Sequence, residues 1–401
     1  MTSRERVLTT LAHKEPDKVP LDLGAMRSSG IMAIAYNKLK QHLGLSGGYT
    51  RVYDIGQQLA EPEQKILDRF HIDVIDLANT FGENGDDWKK WSLPDGSPGQ
   101  VHRIFYPSRH GNEWVFYDGD RITSRMPEGC LYFEACNPPL ENATTKHDIE
   151  NHKWYYYSDE DLRILEQKAK HLYENTEYAI MGGFGGNILE YGQNLRGWSN
   201  FMMDLVINRS LADDLMDKLV EVHLKNLEGY LQAVGKYIQI IQMGDDLGTQ
   251  NAPQLSPDMY RELIKPRHSK IFQYVKKQHS DLYVFLHSCG SVYDLLPDLI
   301  DAGIDILNPV QTSAKKMDPQ TLKDEFGDKI TFWGGGVDTQ HVLPDETPAE
   351  VTAQVEERMK IFAPGGGFVF APVHNIQANV PPENIIAMYE KANAVRDYPI
   401  S

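Results

Sequence analysis

Two kinds of apolar pattern alternate along the chain. Short continuous runs rich in β-branched and aromatic residues, at 19–23, 72–77, 178–181, 237–243, 282–286, 304–307, 330–333 and 367–371, read as strands buried on both faces. Between them, apolar residues spaced three and four apart predict helices with one buried stripe, at 159–174, 195–206, 210–231, 257–278, 293–302, 318–326, 348–362 and 382–394. Residues 2–13, 34–43 and 61–70 are helical by the same spacing. Ser3 is the expected N-cap of the first, and Pro266 is expected to kink or divide 257–278. Eight strand-then-helix units in one chain point to an α/β protein, a (β/α)8 TIM barrel, rather than a doubly wound sheet. Residues 1–401 are expected to form that single barrel domain.

The pattern changes between residues 82 and 142. There Gly, Pro and Asp punctuate aromatic stretches at 102–106, 114–117 and 131–133, and Asp118-Gly119 signals a turn. This predicts a β-hairpin insertion after the second strand that covers the barrel mouth, its aromatic residues being candidates for the wall of a substrate pocket.

Composition narrows the class. A chain of 401 residues buries a large core, and its formal net charge of −17 argues against a nucleic-acid partner, whose phosphates are held by Lys and Arg. No run approaches the roughly eighteen apolar residues of a membrane span. Residues 1–20 are charged and lack a signal-like apolar core, so a cytoplasmic protein with no membrane partner is the expectation. The three cysteines, Cys130, Cys136 and Cys289, make no disulfide framework and fit a reducing compartment. No G-x-G-x-x-G opens a helix and no Walker sequence is present. The glycines at 182–186 are therefore better explained by close approach of backbone or ligand at a strand end than by a dinucleotide site.

Barrel active sites lie at the C-terminal ends of the strands. The residues expected there are polar: Asp22, Asp76, Asn79, Asn187, Glu190, Asp245, Asp246, His287, Cys289, Asn308, Gln311, Asp338, His341 and His374. A carboxylate at such a junction also caps the next helix, and that reading stands beside the functional one for Asp22, Asp76 and Asp338. His341 reads as a loop histidine. His287 and Cys289, two residues apart at the end of the apolar run 282–286, present an imidazole and a thiol on one side of an extended backbone. His374 follows the last apolar run and is expected to point into the same mouth. Three nitrogen or sulfur ligands with one open position is the pattern of a catalytic zinc site. Asp245 or Asp246 then supplies a fourth oxygen ligand or orients an imidazole, Asp245 being the candidate ligand. Asp246, Glu190 and Asn187 are the candidate catalytic groups.

These residues resemble the uroporphyrinogen decarboxylase superfamily and, within it, the corrinoid-dependent methyltransferase branch. The resemblance is carried by Ser3-Arg-Glu-Arg-Val-Leu with Lys18-Val-Pro, Gln57-Gln-Leu-Ala-Glu-Pro, Gly244-Asp-Asp-Leu-Gly and His287-Ser-Cys-Gly. Phe332-Trp-Gly-Gly-Gly-Val-Asp, Ala371-Pro-Val-His-Asn and Pro382-Glu-Asn-Ile complete it. It implies zinc on a His-x-Cys pair plus a distant cysteine, whose place His374 takes here. It also implies a corrinoid protein as partner and a mouth wide enough to admit the corrinoid, with Gly185, Gly186, Gly335 and Gly336 leaving room for it. An oligomer is compatible with it. The decarboxylase's own arginine-rich motif is reduced to Met26-Arg-Ser-Ser, and its aspartate falls near Asn79-Thr80, which disfavours a porphyrin bearing many carboxylates. The favoured expectation is methyl transfer from a methylated small molecule, a methoxylated aromatic, to cob(I)alamin. The alternatives are methylcobalamin-to-thiol transfer, a uroporphyrinogen-type decarboxylase, and a non-catalytic barrel with a vestigial site.

Overall fold

In the computed structural model, which describes residues 1–45, 47–77 and 87–400, the apolar runs become seven parallel strands of one curled sheet, neighbours in the chain being neighbours in the sheet. They are β1 (Val74–Asp76), β2 (Ala179–Gly185), β3 (Ile240–Gly244), β4 (Tyr283–His287), β5 (Ile306–Asn308), β6 (Thr331–Trp333) and β7 (Phe368–Val369). Residues 19–23 join the two edges. The Phe370 amide donates to Pro20 O at 2.9 Å and the Asp22 amide to Phe370 O at 2.9 Å, with Leu21 and Phe370 forming an isolated parallel bridge. On the other side the Asp73 amide donates to Leu21 O at 2.9 Å, just before β1.

The runs are continuous because both faces of each strand are buried, yet their alternation sorts two cores. Met181, Ile240, Phe285, Ile306, Trp333 and Val369 meet inside the curl. Their neighbours Ile180, Ile241, Val284, Leu286, Leu307, Phe332 and Phe368 pack outward among the helices. Val7 and Leu11 of the helix Ser3–Leu11 join the inner cluster and plug the N-terminal ends of the strands. That helix is capped by Thr2 rather than Ser3, through a capping box with Glu5.

One expectation is met and another is revised. The segment 257–278 is divided by a π-helical turn, Tyr260–Ile264, immediately before the helix Lys265–Gln278. The extra residue accommodates Pro266, whose ring and missing N–H break the regular ladder. Antiparallel strands occur at Trp88–Ser92, Pro98–His102, Ser108–His110, Glu113–Asp118, Arg121–Met126 and Glu134–Ala135. They are not confined to the place after the second strand. Ile31–Met32, Arg51–Asp54 and Leu59–Ala60, which precede β1, share a five-stranded sheet with Trp88–Ser92 and Pro98–His102. Such short strands carry no period of their own and are stabilised by distant partners, as where Val52 pairs with Val101. Residues 82–86 of the expected insertion, and Asn79, lie outside the described residues.

Candidate functional site

Strand alternation places the site. His287 lies two residues beyond Phe285 and Asn308 two beyond Ile306, so both side chains leave the inner core and face the mouth. The parallel register sets Gly244, His287 and Asn308 side by side at the C-terminal ends of β3, β4 and β5. The chain turns after β4 at Gly290, whose φ of +84° and packing against Thr249 leave no room for a Cβ.

Among the described residues, His287, Cys289 and His374 form a group whose candidate ligand atoms all lie within 4.8 Å of one another. Cys289 Sγ is 3.5 Å from His287 Nε2, and the two imidazole rings are 6.0 Å apart between centroids. A tetrahedral zinc site has ligand atoms about 3.5 Å apart, so two imidazoles and a thiol at this spacing fit a borderline-soft divalent ion. Burial opposes charge on both members of the closest pair, but each favours the other's ionisation. Cys289 and Asp246, with the Asn308 hydrogen bond, push His287 up to about 10. Burial alone would raise the Cys289 thiol; His287, and a hydrogen bond from His374, bring it down to about 7. A thiol so placed is primed to become a ligand.

Asp246 stands beside this group. Its Oδ1 accepts the Cys289 amide at 2.8 Å and lies 3.6 Å from His287 Nε2. A cavity of about 480 Å³ opens next to it, walled by Tyr155, Tyr157, Phe184 and Tyr230 and floored by His287, His374 and Asp246. Glu190, Asn187 and Gly185 also line it. The Asn187 amide donates to Glu190 Oε2 at 2.6 Å, and burial, together with the Asp246 and Asp245 charges, raises the Glu190 carboxyl.

The structure assigns several expected residues elsewhere. Asp245 stands outside the group of candidate ligands, and both its oxygens are engaged. They accept the backbone amides of Ile188, Leu189 and Glu190 at 3.2, 2.9 and 2.8 Å, and Oδ2 lies 3.0 Å from His268 Nε2. Gly186, Gly335 and Gly336 do not face the cavity but are packed into the barrel wall. A Cβ would lie 3.2 Å from Met243 Sδ at Gly186, 3.3 Å from Val310 at Gly335 and 2.4 Å from the Phe370 ring at Gly336. Neighbouring side chains press on these positions, and Gly186 and Gly335 also take positive φ, +74° and +71°, both of which suit glycine. His341 is exposed and outside the His287 group, and Gln311 accepts the Gly290 amide at 2.8 Å. Cys130 and Cys136 are free thiols outside the group.

The sequence marked Arg27 only as the remnant of an arginine-rich motif and gave no sign of Tyr53, yet both line the cavity. Arg27 reaches it, paired with Asp54, with 64% of its side chain exposed. Tyr53 also lines it, 6% exposed, and its buried hydroxyl has no hydrogen-bond partner among the described residues. Both come from segments too irregular to show a pattern.

A methyltransferase from Methanosarcina mazei superposes with a TM-score of 0.61 over 98% of this chain and 99% of its own at 17% identity, a likeness of fold. The methylcobamide:CoM methyltransferase MtaA of Methanosarcina barkeri is 24% identical over 225 residues, covering 55% of this chain and 61% of its own. A uroporphyrinogen decarboxylase of Geobacter sulfurreducens is 23% identical over 214 residues, covering 52% and 58%. The chain thus spans about three fifths of the length of these two curated relatives. The sequence model for uroporphyrinogen decarboxylase (URO-D) matches residues 136–395, from the end of the antiparallel strands to the last helix. A match over well more than half of its length shows that the chain belongs to the uroporphyrinogen decarboxylase (URO-D) family.

Proposed function

We propose that this protein is a cytoplasmic, zinc-dependent methyltransferase that moves a methyl group from a methylated small molecule to the cob(I)alamin of a corrinoid protein. The favoured donor is a methoxylated aromatic. The observation that carries this reading is the meeting of His287, Cys289 and His374 beside an aromatic-walled cavity. In this reading the strands form a complete (β/α)8 barrel closed by residues 19–23, and the β-rich residues 87–142 cover its mouth.

The three side chains would hold zinc, which when bound supplies Lewis acidity at that end of the cavity. The protein's own residues do the rest. Tyr155, Tyr157, Phe184 and Tyr230 offer rings against which a planar donor stacks. Glu190, its carboxyl raised by burial and by the Asp246 and Asp245 charges, holds its proton to higher pH than an exposed carboxyl does and is the acid of this reading. It hands that proton to the oxygen left when the methyl group departs, and Asn187 orients it. Asp246 orients the Cys289 backbone and faces the His287 ring. Gly183, Gly185 and Gly244 keep the mouth low where a corrinoid would approach.

Similarity to relatives named methylcobamide:CoM methyltransferase favours a second reading, methyl transfer from methylcobalamin to a thiol. One experiment separates the two. Zinc-replete protein is mixed with cob(I)alamin and methoxylated benzenes, or with methylcobalamin and small thiols, and cobalamin absorbance is followed. Loss of the cob(I)alamin band with an aryl methyl ether is expected. Turnover with thiols alone selects the second reading, and none in either arm with a competent corrinoid protein overturns both. Replacing His287, Cys289 or His374 singly by Ala is expected to lower bound zinc at least tenfold.

A further inference from the structure

We infer that Asn308 is the positioning residue of this site: it holds the Nδ1 edge of His287 and thereby delivers Nε2 to the metal-binding group. The inference rests on the metal reading above.

The argument turns on which way the Asn308 amide faces. Its Nδ2 donates to the Trp333 carbonyl oxygen at 2.9 Å, a bond only the amide nitrogen can make. The opposite orientation would set oxygen against oxygen there. Oδ1 must therefore face the other way, where it receives the Ser28 hydroxyl at 2.6 Å and His287 Nδ1 at 2.7 Å. Asn308 is 1% exposed, so no water competes for these bonds. The hydrogen on His287 Nδ1 is held by Asn308 whether the ring is charged or neutral. The nitrogen that must give up its proton to a metal is then Nε2, which lies 3.5 Å from Cys289 Sγ.

The relay has a direction in the fold. Ser28, beyond the strand-like residues 19–23, reaches the end of β5, which grips the end of β4; the Trp333 carbonyl at the end of β6 locks the amide. Aspartate could receive the two donors but could not donate to Trp333, which is a physical reason for an amide here. Leucine could do neither.

Zinc affinity of Asn308→Leu, Asn308→Asp and Ser28→Ala, measured by competition with a chromophoric chelator, tests this alongside thermal melting. Cobalt-substituted protein adds a direct readout, the paramagnetically shifted, exchangeable proton on His287 Nδ1. Asn308→Leu is expected to weaken zinc binding about 10- to 100-fold and to speed exchange of that proton. Asn308→Asp is expected to recover most of the affinity, and Ser28→Ala to lose severalfold. Unchanged affinity and proton exchange in folded Asn308→Leu, or a wild-type resonance showing the metal on Nδ1, would overturn the role of Asn308. Should Asn308→Leu not fold, the wild-type resonance and Asn308→Asp still decide. Wild-type protein that takes up neither zinc nor cobalt overturns the metal reading itself, and the inference with it.

Discussion

Asp22 is fully buried, its Oδ2 accepting the Trp333 indole N–H at 2.8 Å and its Oδ1 the Ala25 amide at 2.9 Å. Burial raises its carboxyl to about 6, and these hydrogen bonds, with Ser29, only partly offset that. An unfolded aspartate titrates near 3.9, so the native state binds this proton more tightly than the unfolded state does. Its contribution to stability is fully present below about pH 4 and is lost as pH rises through 6, a change on the order of 3 kcal/mol. Urea unfolding of wild type and Asp22→Asn between pH 4 and 7.5 should therefore show wild type losing stability relative to the variant over that window. A constant difference would mean that the charge plays no part. At this scale His287, Cys289 and His374 could be singled out from residue type and strand parity alone. Asn308 and Tyr53 could not, because an amide or a phenol announces a role only through its partner, or through the lack of one.

At the scale of elements, the helix Leu189–Arg196 is anchored by a carboxylate from another strand. Asp245, following β3, accepts three amides at its first turn, and His268, carried by the helix after the π turn, packs behind that carboxylate. Removing Asp245 leaves those amides and a buried imidazole without an acceptor, a loss of about 2–4 kcal/mol. Asp245→Ala should lower the free energy of unfolding by that amount and, on the zinc reading proposed above, leave zinc binding by the folded protein unchanged. A stoichiometric loss of zinc from folded variant would restore Asp245 to the metal. Periodicity made the long helices and the central strands legible, since each carries several turns or a full buried run. It failed for Arg51–Asp54 and Leu59–Ala60, whose pairing depends on residues far along the chain.

Across the whole molecule, the end of the barrel opposite the site is tied by ions. Arg6 binds Asp73 at 2.6 Å and Asp17 at 2.7 Å, and Arg396, from the segment after the last helix, binds Asp73 at 3.1 Å. Arg6 draws Asp17 down to about 2 against its partial burial, so that pairing stabilises the fold above about pH 4 and is lost as pH falls through 2. Arg6→Met should lower stability at neutral pH by about 3 kcal/mol, flatten the acid limb of the unfolding curve, and leave zinc binding unchanged. A shift in zinc affinity would show that the two ends are coupled. The order of apolar runs was enough for an α/β architecture with strand ends as the place to look, because burial on both faces leaves its mark on neighbouring residues. Which polar groups share that rim was settled by register and curvature, for those bring Ser28, Asn308 and His287 within hydrogen-bond reach while turning Asp245, Gly335 and Gly336 into the wall. Chemistry of this kind depends on distances of a few ångströms between segments far apart along the chain, and a linear pattern carries no such distances.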